Sequence, residues 1–484
     1  MTVLSNCKPM DVFKYFEEIC NIPHGSWNEK ALSDHIHRWA LDLGLDSVQD
    51  KLYNLIIRKP AAAGYEAAPT VILQGHIDMV CEKNADVEFD FAKDPLDIYV
   101  DGDYIKARGT TLGADNGIAT AMAMAILADK TLSHPALEVV LTTVEEAGMD
   151  GAKAIDGNLL KGRYFINMDS EDEGTFLASC AGGARVMVKL DIKWENIAFT
   201  RSTALKIFVS GLKGGHSGMD INKGRANSNK ILGRLLDVIK TPWQLAEIGG
   251  GSKDNAIPRE AWANIVVAAT DAEAVKLEID NFGKIIAAEF EHSDPDISVT
   301  AELIQTLPTR VFANDAAKKT VGLLLSIPCG VAHMSATLSY LVETSNNLGV
   351  VRLEEDTVVF TNAVRSSSDS RRRELIRCIY AIGEAFGAKC HSTDGYPGWQ
   401  YNPNSPLRDI FQKVYKEKFG KDSQILAIHA GLECGLFAEK IPGLDMISFG
   451  PNMHDVHTPQ ERISIQSTAN SYEFLKDVLA VLKD

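Results

Sequence analysis

The chain has 484 residues, 45% hydrophobic and 24% charged, enough apolar material for two to four domains or for one enzyme domain carrying a large insertion. Its formal net charge of −16 argues against a surface that gathers phosphate backbones, so nucleic acid is not an expected partner. Eight scattered cysteines without a CxxC pair suit reduced thiols in a cytoplasmic protein, and neither a signal peptide nor a bilayer-spanning apolar run is expected.

Helical spacing of Phe, Ile, Leu and Trp predicts helices over 10–20 and 29–44, followed by a strand over 54–58. The next segment, 71–80, reads as a buried strand running out into His76 and Asp78. Side chains two apart on a strand face the same side, so one of the two can hold a metal while the other accepts the second ring N–H. An Asp-rich connection, with a hairpin over 98–107 turned at Asp101-Gly102, leads to a glycine-rich turn over 108–117. A helix apolar on all sides is predicted from Ile118, and such a helix belongs against a sheet. Strands over 137–144 and 164–168 end in Glu145-Glu146 and in Asp169-Ser170-Glu171. This rhythm predicts an α/β sheet with polar groups at strand ends, where open α/β sheets place their ligand sites.

After Cys180 the texture changes. Strands over 186–192, 205–212, 265–269 and 297–303, separated by helices near 230–239 and 272–289, predict an α+β module. Elements over 318–326, 337–342, 349–353, 357–364 and 370–386 predict a second α+β half that loosely duplicates the first. The α/β texture returns near 395, with a helix over 406–419, strands over 424–429 and 445–449, and a closing amphipathic helix over 464–483. The expected architecture is a mixed-sheet α/β domain in two parts, 1–185 and 396–484, interrupted by an inserted α+β lid domain over 186–395.

Five candidate metal ligands sit at strand ends or turns: His76, Asp115, Glu146, Asp169 and His457. Mixed imidazole and carboxylate sets suit zinc, with cobalt or manganese as tolerable substitutes. Five ligands are too many for one open catalytic zinc but suit two if a carboxylate bridges. Asp115, on its glycine-rich turn, is the candidate bridge. The Glu145-Glu146 pair can supply one ligand and one free base beside the metals. A glutamate pair alone is as readily a solvated strand end; its place in step with the other ligand-bearing ends favours the chemical reading.

Taken in order, His76-Ile77-Asp78, Gly113-Ala114-Asp115-Asn116-Gly117, Glu145-Glu146, Met168-Asp169-Ser170-Glu171 and His457-Thr458-Pro459-Gln460-Glu461 resemble the co-catalytic zinc peptidases that include aminoacylases, carboxypeptidases and carnosinases. The runs 107–117, 145–151 and 429–435 look closer still to one branch, the bacterial aminoacyl-histidine dipeptidases. The resemblance covers essentially the whole chain. It implies a di-zinc peptidase domain in which His76, Asp115 and Asp169 hold one zinc and Asp115, Glu146 and His457 the other. Glu145 would be the general base and acid, and Asp78 the partner that orients His76. His457 is preferred to His454 because it directly precedes Thr458-Pro459.

The resemblance also implies substrate contacts from the lid. His216, in Gly214-Gly215-His216-Ser217-Gly218, would stabilise the oxyanion, and Arg365 would grip a terminal carboxylate with its planar fork. Asn255 matches a polar lid position near the substrate, while Glu433 is either a pocket residue or a structural carboxylate. The other histidines, among them His24 and His429, read as surface or packing residues. The implied activity is exopeptidase hydrolysis of dipeptides, Xaa-His among them, in the cytoplasm, with the lid as a homodimerisation surface and hinges near 185 and 395. An N-acyl amino acid deacylase on the same scaffold is the nearest alternative, and a non-catalytic peptide-binding descendant the next.

Overall fold

The strand Val71–His76 is buried along its whole length because it pairs in parallel on both sides, with Leu137–Thr142 and with Tyr164–Asn167. This computed structural model describes residues 3–393 and 395–483. The chain forms two units, one of Met1–Ser179, Trp399–Ala427 and Leu432–Asp484, the other of Cys180–Gly398 and Ile428–Gly431.

The first unit is built on an eight-stranded mixed sheet, ordered Asp46–Gln49, Leu55–Lys59, Leu137–Thr142, Val71–His76, Tyr164–Asn167, Asp445–Ser448, Thr175–Cys180 and Gln424–Ile428. Its central neighbours run parallel, which is why their sequences are continuously apolar rather than alternating. The helix Ala114–Ala128 is buried from Asn116 to Leu127 and packs between that sheet and the helix Met10–Cys20. On the same core, Phe474 stacks on Phe176 at 5.4 Å and meets the edge of Phe411 at 5.3 Å. The predicted hairpin is present as Ile98–Asp101 and Tyr104–Ala107, and it extends through Arg462–Ser464 to Met453–His454 in a four-stranded sheet.

In the first unit, three departures from the expected elements lie where the site is built. The strand expected to reach residue 78 ends at His76, whose N–H turns to Asn116 Oδ1 (3.2 Å). The strand expected over 137–144 stops at Thr142, and Val144 adopts a positive φ of 55°. The helix expected from Ile118 begins at Ala114, but Asp115 and Asn116 interrupt it with non-helical backbone. Gly113 precedes them at φ 69°, and a Cβ there would press on Met79 and His24.

The second unit carries a nine-stranded sheet. Eight strands follow the order Ser298–Ile304, Ser202–Ser210, Ala261–Ala268, Trp243–Gly250, Val342–Glu354, Thr357–Ser366, Gly182–Asp191 and Lys389–Ser392, and Gly330–Met334 pairs with Val342–Glu354. The two halves read from the sequence are therefore one sheet. Trp243–Gly250, absent from the expected elements, joins them by pairing with both Ala261–Ala268 and Val342–Glu354. No strand forms over 337–341, because Ser335 Oγ accepts the N–H groups of Thr337 and Leu338 and closes a turn instead. The helices Ser228–Val238, Ala272–Glu289, Asn314–Ser326 and Asp369–Ala385 each bury one apolar face in this unit's core.

The unit boundaries differ from the expected 185/186 and 395/396, lying at 179/180 and 398/399, and Ile428–Gly431 belongs to the second unit. Ala181 N–H donates to Ala430 O at 2.9 Å, and His429 Nε2 lies 2.7 Å from Ser345 Oγ. Such pairings over long sequence separations leave no trace in periodicity. Among the described residues no helix is long and apolar enough to cross a membrane.

Candidate metal centre

All five expected ligands belong to the first unit, where each follows a strand or opens a helix. His76 closes Val71–His76, Asp169 lies two residues past Tyr164–Asn167, and Glu146 four past Leu137–Thr142. Asp115 sits at the interrupted helix start, and His457 lies three residues past Met453–His454 in a positive-φ turn (62°).

Their donor atoms converge. His76 Nε2 lies 3.1 Å from Asp115 Oδ1 and 3.6 Å from Asp169 Oδ1. His457 Nε2 lies 3.2 Å from Asp115 Oδ2 and 2.8 Å from Glu146 Oε1. Donor atoms of His76, Asp115 and Glu146 all fall within 4.8 Å of one another, so the two expected ligand sets interlock through Asp115. His454 is elsewhere, paired with Arg462 and with its ring 5.9 Å from Tyr104.

Asp78 holds the frame around His76. His76 Nδ1 faces the Asp78 backbone oxygen at 3.0 Å and carboxylate Oδ1 at 3.4 Å, which leaves Nε2 for the converging carboxylates. The same Asp78 carboxylate accepts the N–H groups of Glu145 (2.9 Å) and Glu146 (3.2 Å) and the hydroxyl of Ser26 (2.7 Å). One buried carboxylate thus orients an imidazole and fixes the turn that bears both glutamates.

The electrostatics are those of a site made for cations. Burial alone would lower the His76 pKa, but the Asp169, Asp115 and Asp78 carboxylates outweigh it and hold the imidazole well above its ordinary value. The Asp115 and Glu146 carboxylates beside it push His457 up to about 11. Burial, with the Asp115 and Glu146 charges, pushes Asp169 up to about 6. Glu145 is held well above the ordinary carboxylate range, by burial first and then by Asp169, Glu433 and Glu146, against the opposing charge of His76. Glu146 Oε1 is buried without a hydrogen bond although His457 Nε2 is 2.8 Å away. Five carboxyl groups crowd two imidazoles, an arrangement that divalent cations balance and that fits a two-metal donor set.

Residues outside the candidate donor set hold this geometry. Asn116 receives the His76 N–H and donates to Met168 O at 2.9 Å, joining two ligand-bearing strand ends, and a Cβ on Gly75 would collide with its Oδ1. Beneath them, Glu433 Oε2 accepts from Gln74 Nε2 (2.5 Å) and Thr142 Oγ1 (2.7 Å), and Gln74 Oε1 accepts from Asn167 (2.6 Å). Gln74, Thr142 and Asn167 come from the three strands that lead into His76, Glu145-Glu146 and Asp169. Glu461 accepts four backbone N–H groups from Leu112 to Asp115. Of these, Asn116 and Glu461 stand in the same motifs as Asp115 and His457, and Glu433 was expected as a pocket residue or a structural carboxylate; Gln74, Thr142 and Asn167 had no signal in the sequence.

The second unit gathers the other three expected residues around Ser217. His216 pairs with Ala256, Ser217 N–H donates to Asn255 O at 2.8 Å, and Arg365 Nε donates to Ser217 Oγ at 3.4 Å. His216 Nδ1 accepts the N–H groups of Met219 (3.0 Å) and Gly218 (3.3 Å), so the proton sits on Nε2. That N–H lies 3.5 Å from Arg365 Nη2, itself a donor, and Arg365 Nη1 donates to Tyr396 Oη at 3.1 Å. Burial, and then the Arg365 charge, keeps His216 below its ordinary pKa and therefore neutral near pH 7. Two donors side by side form a site for an anionic oxygen. Asn255 is exposed. His429, expected at the surface or in packing, is buried, and burial together with the Arg365 charge lowers it to about 3.

A mixed α/β sheet whose strand ends gather two imidazoles and a set of carboxylates around one shared aspartate defines a metal-dependent hydrolase. The chain belongs to peptidase family M20/M25/M40, whose family model matches residues 72–481. It is 39% identical over 481 residues to the cytosol non-specific dipeptidase of Escherichia coli (strain K12), covering 99% of each chain. Its fold matches the crystal structure of aminoacylhistidine dipeptidase from Vibrio alginolyticus with a TM-score of 0.92 at 38% identity, over 98% of this chain and 97% of that one. A tripeptidase from Staphylococcus aureus subsp. aureus mu50 shares the fold at a TM-score of 0.56 and 15% identity, over 99% of both chains.

Proposed function

We propose that the chain is a cytoplasmic dipeptidase, an exopeptidase of broad specificity that accepts Xaa-His dipeptides and works with two zinc ions. The observation that carries this reading is Asp115, whose two oxygens lie 3.1 Å from His76 and 3.2 Å from His457. His76, Asp115 and Asp169 would hold one zinc, and Asp115, Glu146 and His457 the other, with cobalt or manganese as substitutes. When bound, the metals supply Lewis acidity at the scissile carbonyl and lower the pKa of water.

The chain's own residues supply the rest. Glu145 would take a proton from water and deliver it to the leaving amine; its raised pKa suits a carboxyl that must hold that proton for part of the cycle. Asp78 keeps Glu145 and His76 in register through their backbone and ring N–H groups. His216 presents its Nε2–H to the developing oxyanion, and Arg365 pairs with the substrate's free carboxylate, beside Asn255. The second unit is the proposed lid and homodimer surface.

The test is a comparison of unblocked dipeptides with N-acetyl amino acids, using enzyme loaded with zinc. Dipeptides should exceed acetyl amino acids in kcat/KM by about a hundredfold or more. Equal or better turnover of acetyl amino acids would make the chain a deacylase, and turnover of neither would make it a non-catalytic peptide binder.

A further inference from the structure

Glu461 is buried, 3% exposed, and touches none of the candidate donor atoms through its side chain. Its Oε2 accepts the N–H of Leu112 (2.7 Å) and Gly113 (3.1 Å), and its Oε1 those of Ala114 (2.8 Å) and Asp115 (3.3 Å). Leu112 and Gly113 lead into the helix and Ala114 and Asp115 open it, so these four successive amides have no intrahelical acceptor. A carboxylate brought from 346 residues away satisfies them and is favoured there by the concentrated amide dipoles. The last of the four belongs to Asp115, the residue whose oxygens face both imidazoles.

The other end of the same segment carries His457. Glu461 N–H donates to Thr458 O at 3.0 Å, and Thr458 Oγ1 donates to Asp455 O at 2.7 Å, closing the turn in which Asp455 (φ 54°) and His457 (φ 62°) are left-handed. Such backbone persists only where its surroundings impose it. On the far side, Arg462–Ser464 pairs with Tyr104–Ala107, so Glu461 is anchored to a sheet on one flank and to the His457 turn on the other.

We propose that Glu461 is a positioning residue of the metal centre, tying the bridging Asp115 to His457 so that both metal sites form, or weaken, together. The proposal rests on the reading of these residues as metal ligands. Asp78 and Glu461 then divide the framework: Asp78 sets His76 and the two glutamates, and Glu461 sets the bridge and the second imidazole.

The experiment uses full-length wild type, Glu461→Gln and Glu461→Asp. Zinc affinity and stoichiometry are read by chelator competition, the absorption spectrum is read at saturating cobalt, and the melting temperature is read without metal. Glu461→Gln turns an amide NH2 toward backbone N–H groups, and both zinc affinities should fall together by about 10- to 100-fold, with a changed cobalt spectrum at saturation. Glu461→Asp, too short to span all four amides, should fall between. A general loss of stability would lower the melting temperature without altering the saturated spectrum. Zinc affinities within about twofold of wild type in a folded variant, or loss at one site alone, would overturn the proposal. If Glu461→Gln does not fold, Glu461→Asp decides by the same readings. Wild type that binds no zinc would overturn the metal-centre reading and this proposal with it, whereas wild type that binds two beside an unaffected variant overturns only the role of Glu461.

Discussion

Asp115 and His457 are 342 positions apart in sequence, and Oδ2 of the first lies 3.2 Å from Nε2 of the second. The hydrogen bond is charge-assisted: His457 carries its proton up to about pH 11, while both imidazoles hold Asp115 below the ordinary carboxylate range against the opposing effect of burial. A metal taking that Nε2 must displace the proton.

The apparent zinc affinity should therefore rise with pH between about 6 and 9, by about tenfold per unit for each proton displaced. Competition titrations at several pH values, with proton release followed in weak buffer, measure this directly. An affinity flat across that range would mean that His457 is not a ligand.

Asp115→Ala removes the shared carboxylate. Both zinc sites should weaken, and turnover should fall below detection. Retention of one tight zinc in the folded variant would refute the bridge.

Glu145→Gln keeps the shape of the turn, because the backbone N–H of residue 145 still donates to Asp78. Zinc content should remain near that of wild type while kcat falls by about a thousandfold, the middle of what a lost general base costs. Metal loss in this variant would make Glu145 a ligand instead.

Arg365→Ala should raise KM by about 30- to 100-fold for dipeptides with a free C-terminus, the range expected for a lost charged hydrogen bond. C-terminally amidated dipeptides should be almost unaffected. Equal damage to both classes argues against recognition of the carboxylate.

Glu433 is pushed up to about 8, by burial first, with Asp169 and Asp78 adding to it and His76 and the Thr142 bond opposing. Its folded pKa lies above the unfolded value of roughly 4.3, so its contribution is complete below that pH and is lost as pH rises through about 8. In the metal-free protein, Glu433→Gln should gain melting temperature relative to wild type on going from pH 5 to pH 9, by about 4 °C or more. Parallel melting curves for the two proteins would show that Glu433 does not titrate in this range.

The candidate donors were legible because they are residue types that stand at strand ends. His76-Ile77-Asp78 after an apolar run, Glu145-Glu146 after another and Asp169 after a third mark the candidate donors, since strand and candidate donor are adjacent in the chain. The halves of the second unit were misread for the opposite reason. Trp243–Gly250 pairs across to Val342–Glu354, about a hundred residues away, and a strand's own pattern does not name its neighbour. His429 illustrates the same limit, because its partner Ser345 is 84 positions distant.

By itself, then, the sequence determined which side chains are available for metal chemistry, their order, and the α/β character of the elements that present them, because these follow from local periodicity and side-chain chemistry. Only the tertiary structure decided that Asp115 faces both imidazoles, that Asp78 and Glu461 hold the ligand-bearing turns by their backbone amides, and that Gln74, Thr142, Asn167 and Glu433 lock three strand ends from beneath. Those relationships are hydrogen bonds between residues tens to hundreds of positions apart, and such bonds exist only once the sheet has brought its strands into register.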